Sequence, residues 1–323
     1  MARNRASRLR AARNAAFAIA ATLVFASPAA AQPVDMAAPY EYLGWGEPQP
    51  PAEVIADTGV HDLTLAFVLS HGTCNPEWDG QRPLLGGTDQ AAIQSVRDAG
   101  GDVDVSFGGW SGKKLGVSCR TPAALAAAYQ KVINAYSLKA IDIDIEHTEV
   151  SSAKVRARVI AALALVQQAN PGIEISITFA TTEAGPEPSG RSLISDAAAI
   201  GFQPTAWTVM PFDFGPPASS MGAASVRGVE GLARDLQSAY GMTLEAAYEH
   251  SGISSMNGHT DEKSETVTVE DFRTMLAFAQ LHHLARFTFW SVNRDRQCGA
   301  VEECSGIQQA PFAFTDVIAE YHG

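Results

Sequence analysis

The chain is poor in cysteine, poor in basic residues and almost without long apolar runs. Its 323 residues include four Cys and 23 Lys and Arg against 35 Asp and Glu. So few and scattered thiols exclude a disulfide-dense miniprotein or a zinc ribbon, and no Cys-x-x-Cys pair occurs. A formal net charge of −12 argues against a nucleic-acid-binding surface. No Gly-x-Gly-x-x-Gly follows the first strand-like segment, which weakens a doubly wound dinucleotide-binding sheet. There is no Pro/Ser-rich linker, repeat or appended module. With 46% hydrophobic and 18% charged residues, what remains is the composition of a globular protein.

The single long apolar run stands at the N-terminus. Arg3, Arg5, Arg8, Arg10 and Arg13 precede the stretch from Asn14 to Ser27, and Ala29 and Ala31 are placed for cleavage before Gln32. A membrane anchor is the competing reading, but the run is too short to span comfortably. Residues 1–31 are therefore expected to be a signal peptide, giving a soluble product outside the cytoplasm, extracellular or periplasmic, with no membrane partner. Export permits disulfides, and Cys74, Cys119, Cys298 and Cys304 allow three pairings. Cys298 and Cys304 are close enough to clip one loop, and Cys74 and Cys119 then pair across two.

From Tyr40 onward, short β-branched runs alternate with Ala-rich helical stretches. Strands are expected near Tyr42–Trp45 and over Leu63–Leu69, Val103–Phe107, Ala140–Ile145, Ile173–Phe179, Ala206–Phe212 and Arg286–Val292, with an apolar stretch around Ile253–Met256. Helices are expected over Asp89–Ala99, Pro122–Tyr136 with Thr121 as N-cap, Ser152–Ala169, Arg191–Ile200, Ala223–Tyr240, Leu244–His250, Val269–His282 and Phe312–Tyr321. Such alternation implies a parallel sheet, and about eight units predict one α/β domain, a (β/α)8 TIM barrel, over residues 32–323.

The most informative segment is Ile141–Glu146, Ile-Asp-Ile-Asp-Ile-Glu. Strand side chains alternate, so Asp142, Asp144 and Glu146 share one face and the isoleucines the other. If the isoleucines fill the layer between barrel and helices, three carboxylates point into the barrel, rising toward the strand end where barrel enzymes place their sites. Same-face neighbours lie roughly 6.5–7 Å apart. Like charges so close in a poorly solvated place cannot all ionise, so the cluster should keep a proton near neutral pH, as general-acid chemistry requires. On its own the pattern is equally an exposed acidic edge strand or a site for a hard cation. Context favours catalysis. Ser106-Phe107-Gly108-Gly109-Trp110 ends the preceding strand, Val209-Met210-Pro211-Phe212-Asp213 ends a later one, and Phe289–Asp295 ends the last. Aromatic residues flanked by acids make a platform for a sugar ring.

These motifs in register resemble glycoside hydrolase family 18. Ser-x-Gly-Gly stands on the third strand, Asp-x-Asp-x-Glu on the fourth, Met-x-Phe-Asp on the sixth and Trp290 on the eighth. The phrases at Leu65–Trp78, Val105–Gly112, Ala128–Glu146 and Phe289–Gly299 resemble the bacterial secreted chitinases more narrowly. The resemblance implies a retaining, substrate-assisted reaction with no enzyme nucleophile, an exception to the two-carboxylate scheme. By the same resemblance Glu146 is the proton donor. Asp144 holds the substrate acetamido N–H, and Asp142 exchanges a hydrogen bond with Asp144. Asp213 and Met210 line the sugar subsite and Trp290 is its floor. Ser106 supports the acidic strand, and Phe67, Gly108, Gly109 and Phe212 belong to the pocket. No cofactor and no metal are implied, and no His spacing around the acidic strand supplies a ligand set.

Some positions depart from the family pattern. Lys139 and Ala140 stand where many members carry an acid and Gly, and Ile145 replaces a Trp on the outward face. Phe212 replaces a Tyr whose hydroxyl would reach the acetyl group, and His147 follows the acid where Gly is common. His147 and the pair His282-His283 read as solvated. The expected activity is hydrolysis of β-1,4-linked N-acetylglucosamine oligosaccharide or polysaccharide by a monomer. The alternatives are an endo-acting N-acetylglucosaminidase on glycans and a binding protein that keeps the barrel without turnover.

Overall fold

Strand and helix alternate eight times along the body of the chain. The computed structural model describes Met1 and residues 36–215, 220–299 and 303–323. The expected signal peptide, residues 1–31, thus lies outside the described residues apart from Met1. Two units are delimited, Met1–Gln32 and Pro33–Gly323, and the barrel belongs to the second.

The barrel strands are β1 (Tyr40–Tyr42), β2 (Asp62–Ser70), β3 (Asp102–Gly108), β4 (Ala140–Asp144), β5 (Glu174–Thr182), β6 (Ala206–Met210), β7 (Ser251–Met256) and β8 (Arg286–Trp290). The helices that follow them are α1 (Pro51–Thr58), α2 (Thr88–Asp98), α3 (Pro122–Tyr136), α4 (Ala153–Ala169), α5 (Pro188–Ala199), α6 (Met221–Tyr240), α7 (Val269–His282) and α8 (Ala313–Ala319). Neighbouring strands pair in parallel from β1 through β8 in chain order. The ring is nearly closed. Phe287 N–H donates to the carbonyl of Met36 at 3.3 Å, and the Thr288 hydroxyl donates to that of Ala38 at 2.6 Å. Short pieces decorate the barrel: Pro76–Trp78 runs antiparallel to β2, and Gly258–His259 pairs with Thr266–Val267. Among the described residues no helix is long and apolar enough to cross a membrane.

The expected elements appear with shifted ends. Thr121 does cap α3, its hydroxyl accepting from Ala124 N–H, and Thr268 with Asp271 forms a capping box on α7. The first strand ends at Tyr42 instead of Trp45. Tyr40 turns its ring into the barrel, and the chain bends away through residues 43–46. Helix α1 begins with Pro51, a residue suited to the first helical position, in a stretch the pattern left unassigned.

Ile141, Ile143 and Ile145 are buried in the layer between barrel and helices. The opposite face departs from the bulky branched filling usual in such barrels. Thr64, Asp104, Ser106, Asp142, Ser176, Thr178, Thr208 and Arg286 are all buried and tied together by hydrogen bonds or ion pairs. Arg286 lies opposite Gly252, where a Cβ would come within 2.9 Å of the Arg286 Cβ, so the glycine makes room for it.

Candidate active site

The acidic strand sits where alternation puts it. Asp142 and Asp144 are buried on the inner face of β4, and Glu146, just past the strand end, is half-buried. The lowest of the three is saturated. Oδ1 of Asp142 accepts from Arg286 Nη1 at 2.6 Å and from the Thr178 hydroxyl at 2.7 Å. Oδ2 accepts from Ser106 at 2.6 Å and Tyr40 at 2.7 Å. The Asp142–Asp144 exchange implied by the resemblance is not among these bonds, and Oδ1 of Asp144 has no partner. With four donors already aimed at it, Asp142 has no lone pair left for its neighbour.

Burial works against ionisation of the upper two carboxyls. Burial pushes the Asp144 carboxyl well above the usual carboxylate range, and the charges of Glu146 and Asp142 push it further. Burial raises Glu146 to about 7. Lys114 works against that rise, and Asp213 and Asp261 add to it. A carboxyl so tuned holds a proton to donate near neutral pH.

Backbone contacts fix the site's neighbours. Gly109 N–H donates to the Asp144 carbonyl at 2.9 Å, and a Cβ on Gly108 would lie 2.1 Å from the same oxygen. A Cβ on Gly109 would meet the Phe67 ring at 2.7 Å, so only glycines let this segment pass between β2 and β4. Asp213 has φ of +55°, a left-handed backbone that is uncommon outside glycine. Glu265 holds it there, accepting from the N–H groups of Asp213 at 2.7 Å and Phe214 at 2.9 Å. The Asp213 carboxylate in turn accepts from Glu262 N–H at 2.9 Å.

Aromatic side chains gather beside the acids. Trp290 is half-buried and stacks on Phe67 with ring centres 5.4 Å apart, backed by the edge of Tyr40 at 6.1 Å. Met210 is buried and Phe212 half-buried at the end of β6. The exposed Trp110 packs on His147 at 3.8 Å, and His147 is itself exposed, as a solvated loop histidine is. His282 likewise packs on Tyr248 and Phe278, each at 4.4 Å. Trp110 and His147 border a groove of about 990 Å³ walled by Cys74, Lys113 and Arg120. Cys74 is bonded to Cys119, joining the loops after β2 and β3, and Cys298 to Cys304 after β8.

Several of these residues carry no signal in the sequence. Tyr40, Lys114 and Arg286 read as ordinary surface or strand residues until the fold brings them to the acidic strand, and Glu265 does so until it reaches the backbone of Asp213. Asp295 moves the other way. It accepts from Phe314 N–H at 3.1 Å and Thr315 N–H at 2.7 Å, so it ties down the start of α8 and does not flank the sugar platform. Among the described residues no group of three or more His, Cys, Asp or Glu side chains is arranged to hold a metal ion.

No family model matches the chain. It is 28% identical over 316 residues to a probable bifunctional chitinase/lysozyme of Escherichia coli (strain K12), covering 91% of this chain and 35% of that protein. It is also 28% identical over 253 residues to Endochitinase 11 of Metarhizium anisopliae, covering 73% of this chain and 48% of that one. The chain therefore spans between a third and a half of these curated relatives. The catalytic domain of the hyperthermophilic chitinase from Pyrococcus furiosus superposes with a TM-score of 0.78 and 27% identity, over 88% of this chain and 93% of that one. Other structures sharing the fold include GH18 chitinases. Barrel and comparisons together show a (β/α)8 fold shared with solved chitinase domains and a sequence similar to that of chitinases.

Proposed function

We propose that the chain is a secreted, retaining glycoside hydrolase that cleaves β-1,4-linked N-acetylglucosamine polymers, chitin or chitooligosaccharides, by substrate-assisted catalysis. The observation that carries this reading is the pairing of a half-buried carboxyl raised to about 7, Glu146, with a second buried carboxyl, Asp144, on the same strand face. Glu146 donates its proton to the glycosidic oxygen as the bond to the leaving sugar breaks. The acetamido carbonyl oxygen of the substrate attacks the anomeric carbon, and Asp144 holds the amide N–H of the oxazolinium so formed. Water, losing a proton to Glu146, then opens that ring with the original configuration restored. Asp144 is badly placed to attack for itself. Neighbours on one strand face reach the sugar from one side, whereas a nucleophile and acid must flank the bond.

Trp290 on Phe67 gives the sugar a flat apolar floor, with Met210, Phe212 and Asp213 at its edge. All the site residues named here lie on one chain, which fits a monomer. Two disulfides and the basic-apolar-small pattern of residues 1–31 favour export. The test is product analysis on a chitooligosaccharide ladder. The wild-type chain should release short products, and Glu146→Gln should fold, bind and lose several powers of ten in turnover. Near-wild-type turnover by that variant would remove Glu146 from the reaction.

A further inference from the structure

Lys114 is a buried cation whose bonds all go to one short stretch of backbone. Its side chain precedes the short helix Leu115–Ser118 and is 5% exposed. Nζ donates to the carbonyls of Gly108 at 3.1 Å, Gly109, and Ser111 at 2.5 Å. Three donated bonds require the ammonium, since a neutral amine carries only two protons. The segment so gripped, Gly108–Ser111, leads from β3 into Trp110. On its far side it is fastened to β4 through Gly109 N–H and the Asp144 carbonyl. Glu149 lies across the same helix, accepting from Gly116 N–H at 2.8 Å, with its second oxygen lacking any partner.

The charges around Glu146 come from four directions. Asp144 lies below it on β4, Asp213 at the end of β6, and Asp261 in the hairpin after β7. Lys114 faces it from the connection after β3. Glu149 faces Lys114 from the segment Thr148–Ser151, and the His147 ring is turned onto Trp110. Lys114 is thus a cation set among carboxyls that would otherwise reinforce one another's protonation.

We propose that Lys114 is a positioning residue for the general acid, clamping the Gly108–Ser111 backbone against the end of β4 and supplying the positive charge that keeps the Glu146 proton transferable. This rests on the reading of Glu146 as the acid. A proton held too tightly is a proton poorly donated, so the cation serves turnover as well as geometry.

The test is the pH dependence of kcat and kcat/KM on a soluble chitooligosaccharide for the wild-type chain, Lys114→Met, Lys114→Gln and Lys114→Arg. Glu146→Gln is the control. The two neutral variants should move the alkaline limb upward by about one pH unit and lower kcat about tenfold, with KM changed far less. Lys114→Arg, keeping the charge, should return the limb to its wild-type position. Thermal midpoints locate each variant's folded range, and Gln, which keeps two donors, carries the test if Met does not fold. A folded neutral variant whose limb does not move overturns the proposal, because a merely structural lysine would lower stability and amplitude without shifting the limb. An active Glu146→Gln would instead overturn the reading on which it rests.

Discussion

Nη1 of Arg286, the first residue of β8, donates to Oδ1 of Asp142 on β4 at 2.6 Å, with neither side chain exposed to solvent. The bond crosses the barrel interior, and the same guanidinium reaches Ser176 at 2.8 Å, Thr64 at 2.9 Å and Asp104 at 3.5 Å. The candidate acid therefore stands on a strand whose lower carboxylate is anchored by the far wall of the barrel. Removing one partner of such a pair leaves an uncompensated buried charge. Arg286→Met should cost about 3–5 kcal/mol in urea unfolding, and a variant as stable as wild type would show that the pair anchors nothing.

Stability should depend on pH through Glu149. Burial raises its carboxyl to about 7, against 4.5 for an ordinary Glu. A carboxyl raised on folding contributes stability that is full below its unfolded value and is lost as pH rises through its folded one. The thermal midpoint should accordingly fall between pH 5 and pH 8. Glu149→Gln, neutral throughout, should fall less over that window. Parallel curves for the two proteins would contradict the assignment.

Phe212 stands where the family resemblance expects a tyrosine hydroxyl. Phe212→Tyr should raise kcat/KM on chitooligosaccharides, by up to about tenfold for one added hydrogen bond to the reacting group. Steady-state kinetics at a fixed pH decide this, and an unchanged value would mean that position 212 does not reach the acetamido group.

Glu265 has both oxygens committed to the backbone that carries Asp213. Glu265→Ala should let that left-handed turn relax and withdraw the carboxylate from the sugar. KM should then rise more than kcat falls. The reverse split would place Glu265 nearer to the chemistry than to binding.

The parts of this architecture visible in the sequence are those encoded by local periodicity. Alternation along Ile141–Glu146 assigned each side chain to a face, and Thr121 before Pro122 marked a helix start. What stayed hidden depends on closure of the ring. Arg286 is 144 positions from Asp142 and opens the strand Arg-Phe-Thr-Phe-Trp as an unremarked charge. Lys114 follows another lysine in a glycine-containing loop, where solvation is the natural expectation. Asp295 shows the opposite error, since its place beside Trp290 suggested the sugar site until the start of α8 claimed its oxygens. Tertiary hydrogen bonding decided all three, and no local pattern encodes it.

The central claim is that the substrate's acetamido group, held by Asp144 and served by Glu146, is the nucleophile. The most direct measurement compares kcat/KM for two matched oligosaccharides that differ only at the sugar bearing the cleaved bond, acetylated in one and carrying a free amine in the other. Loss of a positioned intramolecular nucleophile should lower the rate by several powers of ten, so the account predicts cleavage of the acetylated substrate and almost none of the other. Equal rates on the two would contradict it.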